Sequence, residues 1–265
     1  PSGRDSDRDW RHRPRPAPAR PCAAAAAVIE CNAAGAGRGL LPLVRLLQLA
    51  SPALPVGAYT YSQGLEWAVE SGLVRNEAEA AAWIGELLEW SLARFEVPLL
   101  GCQLAAWSRN EDAELARLND DFLASRETAE LRAETVQMGW SLVRLLAELD
   151  AFASIPGWRA RLLAIEAPAF PTAWSAAAAA WQVAPGEALV AYLWAWLENQ
   201  VMAAVKAVPL GQTVAQKMLL AMGGRLDALA AQALAMDDDA LGNFTPGLAL
   251  QSSRHETQYS RLFRS

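Results

Sequence analysis

ALVAYLWAWLENQVMAAVKAVPLGQ, residues 188–212, is an almost unbroken apolar stretch that the rest of the chain must enclose. Over residues 189–205 apolar side chains cover nearly every face of a helix, so such a helix has no side to turn to water. A run of about twenty apolar residues would suit a membrane span, but Glu198, Asn199 and Gln200 lie in its middle and would each be costly in lipid. We therefore predict a buried central helix whose three polar residues need partners from a neighbouring helix, a second subunit or trapped water.

The composition indicates an all-α fold with one core. Of the 265 residues, 53% are hydrophobic and eleven are Trp, and no segment alternates with period two as a half-buried strand would. One core is favoured over two because no internal linker interrupts the body of the chain. We predict a single globular, bundle-like domain of about ten helices around the central helix. It spans residues 40–250, between a disordered tail at residues 1–39 and a partner-docking tail at residues 251–265.

Charge and cysteine content restrict the classes of partner and the cellular compartment that the sequence predicts. The net charge is −6, and residues 1–39 contribute +3 from seven Arg and four acidic residues, so the rest carries −9. An acidic body argues against nucleic acid as a partner, and the interrupted apolar run argues against a membrane. Three cysteines indicate no disulfide framework, and Cys102 stands among leucines as a core residue. The short run 23–29 makes a poor signal peptide, so we predict a cytoplasmic protein.

Residues 51–66, SPALPVGAYTYSQGLE, form an apolar loop. Two prolines and Gly57 prevent a continuous helix here and force an extended, turned backbone. Tyr59 and Tyr61 carry hydroxyl groups that need hydrogen-bond partners if the loop is buried. The loop therefore either packs under the core, which we favour, or forms a surface for another protein.

Capping patterns place several helix boundaries. Asn76 followed by Glu79 is typical of a capping box, and Ser125 is predicted to cap a long helix of about six turns. Beyond the central helix, one further helix is predicted over residues 211–236. The glycine pair at 223–224 inside it marks a point of close packing rather than a phosphate cradle.

The residues that usually carry catalysis or bind metals are scarce. The chain has two histidines, His12 and His255, so no histidine cluster is available to hold a metal or to activate a nucleophile. No P-loop and no dinucleotide-binding fingerprint occurs in the sequence. We therefore predict no metal site, no cofactor and no catalytic activity.

Carboxylates are the remaining catalytic candidates. Glu127, Glu130 and Glu134 lie near the start of one predicted helix, but the helix dipole alone favours acidic residues there. The acidic run at residues 237–239 is predicted to be a solvated turn rather than a cation site. A metal-free helical enzyme, such as an isoprenoid-binding bundle, would need Asp-rich motifs facing a cavity, and only this run comes near.

The last fourteen residues, SSRHETQYSRLFRS, are basic and apolar on an otherwise acidic protein. Such a composition is typical of a segment that orders on binding a partner. We favour this interpretation over a tail that folds on its own body. The candidate docking residues are Arg254, His255, Glu256, Tyr259, Leu262, Phe263 and Arg264.

Four blocks of the sequence together resemble one protein family. They are LLQLASPALPVGAYTYSQGLE at 46–66, SRETAELRAETVQMGWSLVRLL at 125–146, AYLWAWLENQVMAAVKAVPLGQ at 191–212 and the C-terminal SSRHETQYSRLFRS. In this order they resemble the UreF family of urease accessory proteins, over about residues 40–265. Residues 1–39 lie outside the resemblance.

The resemblance implies a function beyond what the residue patterns show. Proteins of this family are all-helical homodimers without catalytic activity, and they bridge a urease-binding accessory protein (UreD, also called UreH) to the nickel-carrying GTPase UreG. The assembly acts as a chaperone that inserts nickel into apo-urease. By resemblance, Tyr59 and Arg261 match positions that recruit the GTPase, and Lys206 matches a position that controls GTP hydrolysis or its coupling. The C-terminal tail of the family becomes ordered against the UreD-type partner.

Two functions remain open at this stage. The first is a scaffold that holds the GTPase beside the urease-bound partner without binding nickel strongly, which agrees with the scarcity of histidine. The second is a regulator of the GTPase, in which Arg261 or Arg254 would act as an arginine finger. Residue Lys206 also suits the end of the central helix, where a cation complements the helix dipole without any partner.

Overall fold

The computed structural model describes residues 39–149, 152 and 155–265, and all regular elements in these ranges are helical. The predicted tail at residues 1–39 lies outside the described residues except for Gly39. The all-α prediction is confirmed. The α-helices of the described ranges are α1 (Leu41–Leu49), α2 (Leu65–Glu70), α3 (Glu77–Leu87), α4 (Val97–Arg109), α5 (Asp112–Ala124), α6 (Ala129–Glu148), α7 (Trp158–Leu163), α8 (Phe170–Ala180), α9 (Pro185–Ala207), α10 (Gln212–Gly223), α11 (Leu226–Leu234) and α12 (Pro246–His255).

Helix α9 is the predicted central helix. It packs against α2, α4, α10 and α11. Leu189, Leu193, Leu197 and Val201 recur every four residues and are fully buried, so they form one continuous stripe along the helix. Trp194 is the exception, because 37% of its surface remains exposed. The buried central helix is therefore confirmed, with one partly open side.

A second layer is formed by α4, α5, α6 and α8, and buried polar side chains connect its helices. Gln103 Nε2 on α4 donates to Thr172 Oγ1 on α8 over 2.7 Å, and Thr172 Oγ1 donates to Asn119 Oδ1 on α5 over 3.0 Å. The indole Nε1 of Trp107 donates to Ser175 Oγ over 3.1 Å. Because a buried polar group is costly unless it is paired, these bonds favour one relative placement of the three helices.

Helices α3 and α4 are joined without a break by a π-helical segment, Leu88–Glu96. The wider turn of a π-helix shifts the residues that follow it around the helix axis, and such segments occur often at functional sites. Here the segment ends at Glu96, whose carboxylate is buried. Pro98 lies just beyond, in the first turn of α4, where proline is well tolerated.

Two predicted helix boundaries need correction. Ser125 follows the end of α5, and the cap of α6 is Thr128, whose Oγ1 accepts from the backbone N–H of Leu131 over 3.2 Å. The segment 211–236 is two helices, because α10 ends at Gly223 and α11 begins at Leu226. By contrast, the Asn76 cap is confirmed by the 3.1 Å bond that Glu79 N donates to Asn76 Oδ1. Both errors arose where adjacent polar or small residues offered several equivalent boundaries.

Three further expectations concern the chain as a whole. Cys102 is buried on α4 as predicted, and it is disulfide-bonded, a single bridge that the expectation of no disulfide framework had not included. In the described ranges, no helix combines the length and apolar character needed to cross a membrane. The acidic run at residues 237–239 leads into the 3-10 turn Asp238–Ala240. Asp237 and Asp239 are both exposed, as expected for a solvated turn.

Candidate functional site

The apolar loop 51–64 lies over the polar centre of α9 and supplies the partners that its three polar residues need. This source, a loop of the same chain, is not among those expected from the sequence, and it forms one hydrogen bond with each of the three residues. The hydrogen bonds run from Tyr59 Oη to Glu198 Oε2 (3.2 Å), from Asn199 Nδ2 to Tyr61 O (3.3 Å) and from Gln200 Nε2 to Gln63 Oε1 (3.4 Å). The loop therefore packs on the core while its outer side remains open to a partner.

The loop is held in an unusual backbone conformation. Gly57 has φ +82° and Gly64 has φ +77°, in the left-handed region that glycine tolerates best. Between them Gln63 has φ +51°, which is uncommon for a residue with a side chain. The Gln63 amide has strong anchors, since its Oε1 accepts from Trp196 Nε1 over 2.7 Å. Tertiary hydrogen bonds thus hold the loop in a shape that local preference would not select.

Tyr59 is half-buried in this loop and remains an uncharged hydrogen-bond donor. Burial raises the pKa of its phenol well above the ordinary value, and the neighbouring Glu198 carboxylate raises it further. Lys206, in the last turn of α9, is exposed, and its Nζ lies 5.5 Å from the centre of the Phe263 ring. This distance allows a cation–π contact between α9 and the C-terminal segment.

The C-terminal segment, residues 256–265, runs beside the loop. Arg264 N donates to Thr60 O over 2.8 Å, and Ser62 N donates to Ser265 O over 2.7 Å. Ser62 Oγ donates to the same carbonyl oxygen. Two segments that are about two hundred residues apart in the chain therefore form one continuous surface.

Buried carboxylates anchor the C-terminal segment from below. Glu66 accepts from the backbone N–H groups of Leu262 and Phe263 over 2.6 and 2.9 Å. The buried His255 ring lies between two carboxylates, with Nε2 3.1 Å from Glu66 Oε2 and Nδ1 2.7 Å from Glu130 Oε2. These contacts satisfy groups that would be costly to bury alone.

Arg261 is fixed by its own chain. Its Nη1 forms a 2.6 Å ion pair with Glu130 Oε1. Its Nε and Nη2 donate to the backbone oxygens of Gln258 and Glu256 over 3.0 and 2.7 Å. The side chain is nonetheless a third exposed, so the guanidinium is held in place at the surface with part of it open to a partner.

The structure thus shows the tail folded on its own body, the alternative that the sequence made the less favoured. The predicted tail boundary at residue 251 falls inside α12. Of the seven candidate docking residues, His255 and Phe263 are buried in this conformation, Glu256 is partly exposed, and four are exposed: Arg254, Tyr259, Leu262 and Arg264. Sequence reasoning missed the reason for this folding, which is the buried Glu66 in the apolar stretch LEWAV.

A second buried carboxylate, Glu134, lies between the loop and the C-terminal segment. It accepts from Gln63 Nε2 and from Ser265 Oγ, each over 2.7 Å. Burial raises the pKa of Glu134 to about 7, although both hydrogen bonds act to lower it. Glu130 and Glu134, considered above as acid–base candidates, are therefore both occupied in holding the C-terminal segment.

A small cavity of about 70 Å³ lies beneath the loop, near Glu134 and the end of the π-helical segment. On its wall, Glu96 accepts from the hydroxyl of Tyr192 and lies 3.4 Å from Arg126 Nη1. Asn199 Oδ1 is buried without a hydrogen-bond partner among the described residues. Within the described ranges, no group of three or more His, Cys, Asp or Glu side chains is arranged to hold a metal ion.

The three residues expected to engage the GTPase lie on elements that contact one another. Tyr59 is on the loop, Arg261 is on the C-terminal segment bound to that loop, and Lys206 contacts Phe263 of the same segment. They are separated in the sequence by up to about two hundred residues, and the folded chain brings their elements to one side of the molecule.

Comparison with known proteins identifies the family of the chain. The model of the UreF family matches residues 74–223. The chain is 70% identical over 237 residues to the urease accessory protein UreF of Azoarcus sp. (strain BH72), covering 89% of this chain and 100% of that protein. It is 56% identical to the UreF of Dechloromonas aromatica (strain RCB), over 85% of this chain and 98% of that protein, and 49% identical to the UreF of Methylobacillus flagellatus (strain ATCC 51484 / DSM 6875 / VKM B-1610 / KT), over 84% and 97%. The chain belongs to the UreF family of urease accessory proteins.

Proposed function

We propose that this accessory protein acts in urease maturation as a non-catalytic scaffold that bridges a urease-binding UreD-type protein and a nickel-carrying UreG-type GTPase. The observation that carries the proposal is the direct contact between the Tyr59 loop and the segment that bears Arg261. A scaffold needs its contact residues to be fixed before the partner arrives, because ordering them on binding reduces affinity. Hydrogen bonds to Glu198 and Glu130 hold both side chains in this way.

The surface beside these residues suits a second protein. Tyr259 and Leu262 are largely exposed and apolar, while Arg254 and Arg264 are exposed and charged. Exposed aromatic, apolar and Arg side chains are enriched at protein interfaces. We assign this surface to the UreD-type partner, and the adjoining surface of Tyr59, Lys206 and Arg261 to the GTPase.

In the proposed assembly the chain is a homodimer, so that two GTPase subunits are held side by side. Nickel passes from the GTPase to apo-urease without strong ligation by this chain. The cytoplasm is the proposed compartment, because a GTPase partner requires a supply of nucleotide. The buried carboxylates have a structural task in this proposal, and no residue of the chain reacts chemically.

The alternative, a regulator that supplies an arginine finger, would require Arg261 to reach a bound nucleotide. All three nitrogen atoms of its guanidinium already donate hydrogen bonds within the same chain, to Glu130, Glu256 and Gln258. Withdrawing it would leave the Glu130 carboxylate with one fewer donor. This geometry favours positioning of the GTPase over direct participation in hydrolysis.

The test is light scattering on a sizing column with this chain, the UreD-type protein and the GTPase mixed together. Removing residues 251–265 is unsuitable, because Ser252 and His255 are fully buried and the domain itself would be damaged. Tyr59→Ala and Arg261→Ala instead replace single exposed or half-buried side chains of the proposed GTPase surface and leave the buried residues of α12 in place. We expect the wild-type chain to form an assembly with all three proteins, and each variant to retain the UreD-type protein but lose the GTPase.

Arg144→Ala is the matched control, because Arg144 is exposed on the far part of α6 and away from the loop. It should assemble as the wild type does. If the wild-type chain binds neither protein, the bridging proposal is wrong. If assembly is normal for all variants but GTP turnover in the complex changes with Arg261→Ala, the regulator is the better description.

A further inference from the structure

Glu134 is the one carboxylate in the described ranges that accepts hydrogen bonds from both the Tyr59 loop and the C-terminal segment. One oxygen accepts from Gln63 Nε2 and the other from Ser265 Oγ, each over 2.7 Å. The side chain is buried, so water cannot easily replace either donor. Its position on α6, which is packed against α8 in the second layer, makes it a fixed support for two otherwise separate segments.

We propose that Glu134 is a positioning residue that joins the Tyr59 loop and the C-terminal segment into one unit, so that both candidate GTPase contacts are presented together. This inference rests on the proposed function for its meaning, but the coupling itself is a property of the isolated chain. The coupling extends through Gln63, whose other amide atom accepts from Trp196 of the central helix. The loop, the tail and α9 are thereby tied to one buried group.

How easily the two segments open should depend on whether Glu134 is protonated. When the C-terminal segment is bound, Glu134 is withdrawn from water, and burial disfavours its ionised form. When the segment lifts, the carboxylate becomes hydrated and ionises more readily. Opening of the two segments should therefore become easier as the pH rises from 4.5 to about 7, and should change little above that.

The charged and titratable groups around Glu134 determine how strong this dependence is. Glu96, at the end of the π-helical segment, opposes ionisation of Glu134, and Arg126 favours it. Tyr192 of α9 and Tyr61 of the loop also face Glu134; burial raises the pKa of both phenols, and the carboxylate raises it further. Arg264 acts on Tyr61 in the opposite direction. Across the neutral range both phenols stay protonated, so Glu134 is the group expected to change its charge.

Amide hydrogen exchange on the isolated full-length chain tests the coupling. The reporters are Ser62 in the loop and residues 262–264 in the C-terminal segment, whose N–H groups bond Ser265 O, Glu66 and Thr60 O. Glu134→Leu removes both hydrogen bonds at similar side-chain volume. We expect it to accelerate exchange at both sets of reporters by about tenfold or more, and by the same factor, because the segments open as one unit.

Glu134→Gln distinguishes positioning from simple packing, because it resembles the protonated carboxyl group in shape and still offers one acceptor and one donor. It should keep both segments protected and remove the extra opening that the wild type gains between pH 4.5 and about pH 7, after correction for chemical exchange rates. Glu148→Gln, an exposed change on the same helix, should behave as the wild type does. Equal pH dependence in the wild type and Glu134→Gln would overturn the proposal.

A second variant keeps the test decisive if Glu134→Leu does not fold. Ser265→Ala removes only the donor from the C-terminal segment, yet it should also accelerate exchange at Ser62 in the loop. Acceleration confined to the C-terminal segment would overturn the coupling. GTPase binding is measured separately. If the two segments of the wild type open together but the wild type does not bind the GTPase, only the proposed function is refuted. If the wild type binds the GTPase but its two segments open independently, only the coupling is refuted.

Discussion

Single buried side chains carry much of the organisation of this protein. The acidic residues Glu66, Glu130 and Glu134 lie under the C-terminal segment. Each of their carboxylates accepts hydrogen bonds from backbone or side-chain donors. A buried carboxylate is stable only when such donors are supplied. The donors come from the loop and the tail, so the ordering of both segments and the burial of these acids depend on each other.

The stability of the chain should depend on the protonation of Glu134. Its pKa rises from an ordinary 4.5 to about 7 on folding, so the folded chain binds this proton more tightly than the unfolded chain does. The corresponding contribution is full below pH 4.5 and is lost as the pH rises to about 7. The loss is about 3 kcal/mol, since each tenfold difference in proton affinity is worth about 1.4 kcal/mol.

Urea unfolding at a series of pH values measures this effect. Between pH 4.5 and about pH 8, the unfolding free energy of the wild type should fall by about 3 kcal/mol relative to that of Glu134→Gln, which cannot ionise. Glu148→Gln should follow the wild type, because Glu148 is exposed. Parallel curves for the wild type and Glu134→Gln would show that Glu134 does not titrate in this range.

His255 should be essential to stability although it lies in a candidate docking segment. In the wild type, His255 Nε2 lies 3.1 Å from Glu66 and Nδ1 lies 2.7 Å from Glu130. Replacing His255 by Leu removes both contacts. We expect a loss of about 3 kcal/mol of unfolding free energy, measured by urea unfolding at neutral pH. Arg254→Ala, at the exposed preceding residue, should change it by less than about 0.5 kcal/mol. A loss of similar size in both variants would mean that α12 as a whole, rather than the hydrogen-bonded cluster around His255, is sensitive.

At the scale of the elements, the second layer depends on one close approach. Gly139 lies on the face of α6 that meets the segment leading into α8, and a Cβ atom there would stand 1.9 Å from the Pro168 carbonyl oxygen. The obstacle is backbone, which cannot turn aside as a side chain can. The contact between α6 and α8 at this depth therefore requires glycine.

Gly139→Ala should accordingly cost about 3 kcal/mol of unfolding free energy, through displacement of the Pro168 segment. Gly85→Ala is the matched control, because Gly85 is also inside a helix and, apart from its chain neighbours and its own helix backbone, no described atom lies within 4 Å of the position its Cβ would take. That variant should be neutral or stabilising by up to about 1 kcal/mol, as Ala has the higher helix propensity. Denaturant unfolding of both variants provides the comparison, and a mild effect of Gly139→Ala would mean that α6 and α8 can separate at little cost.

At the scale of the whole molecule, the proposal predicts that nickel is handled by the assembly and not by this chain. In the described ranges the buried carboxylates accept hydrogen bonds from within the chain, and no group of potential ligands is arranged to hold a metal ion. Calorimetry with Ni²⁺ on the isolated protein should therefore show only weak binding. Tight binding of one nickel ion per chain would contradict the no-ligand proposal, and repeating the titration with His255→Gln would show whether the buried histidine supplies a ligand.

The candidate site could be anticipated only in part. Tyr59, Lys206 and Arg261 were identified by family resemblance, and the loop was recognised from its prolines and Gly57. The roles of Gln63, Glu66 and Glu134 could not be anticipated, because each depends on a partner between about seventy and two hundred residues away. A sequence pattern reports periodicity within one element and carries no distance between elements.

The sequence by itself determined the fold class and the central helix, because the spacing of apolar residues within a helix is a local property that burial then enforces. It also determined that residues 198–200 would need polar partners. Only the tertiary structure decided that the loop supplies those partners and that the C-terminal segment folds back over Glu66, His255 and Glu134. The physical reason is that a buried polar group is stabilised by whichever donor the whole fold brings within hydrogen-bond distance.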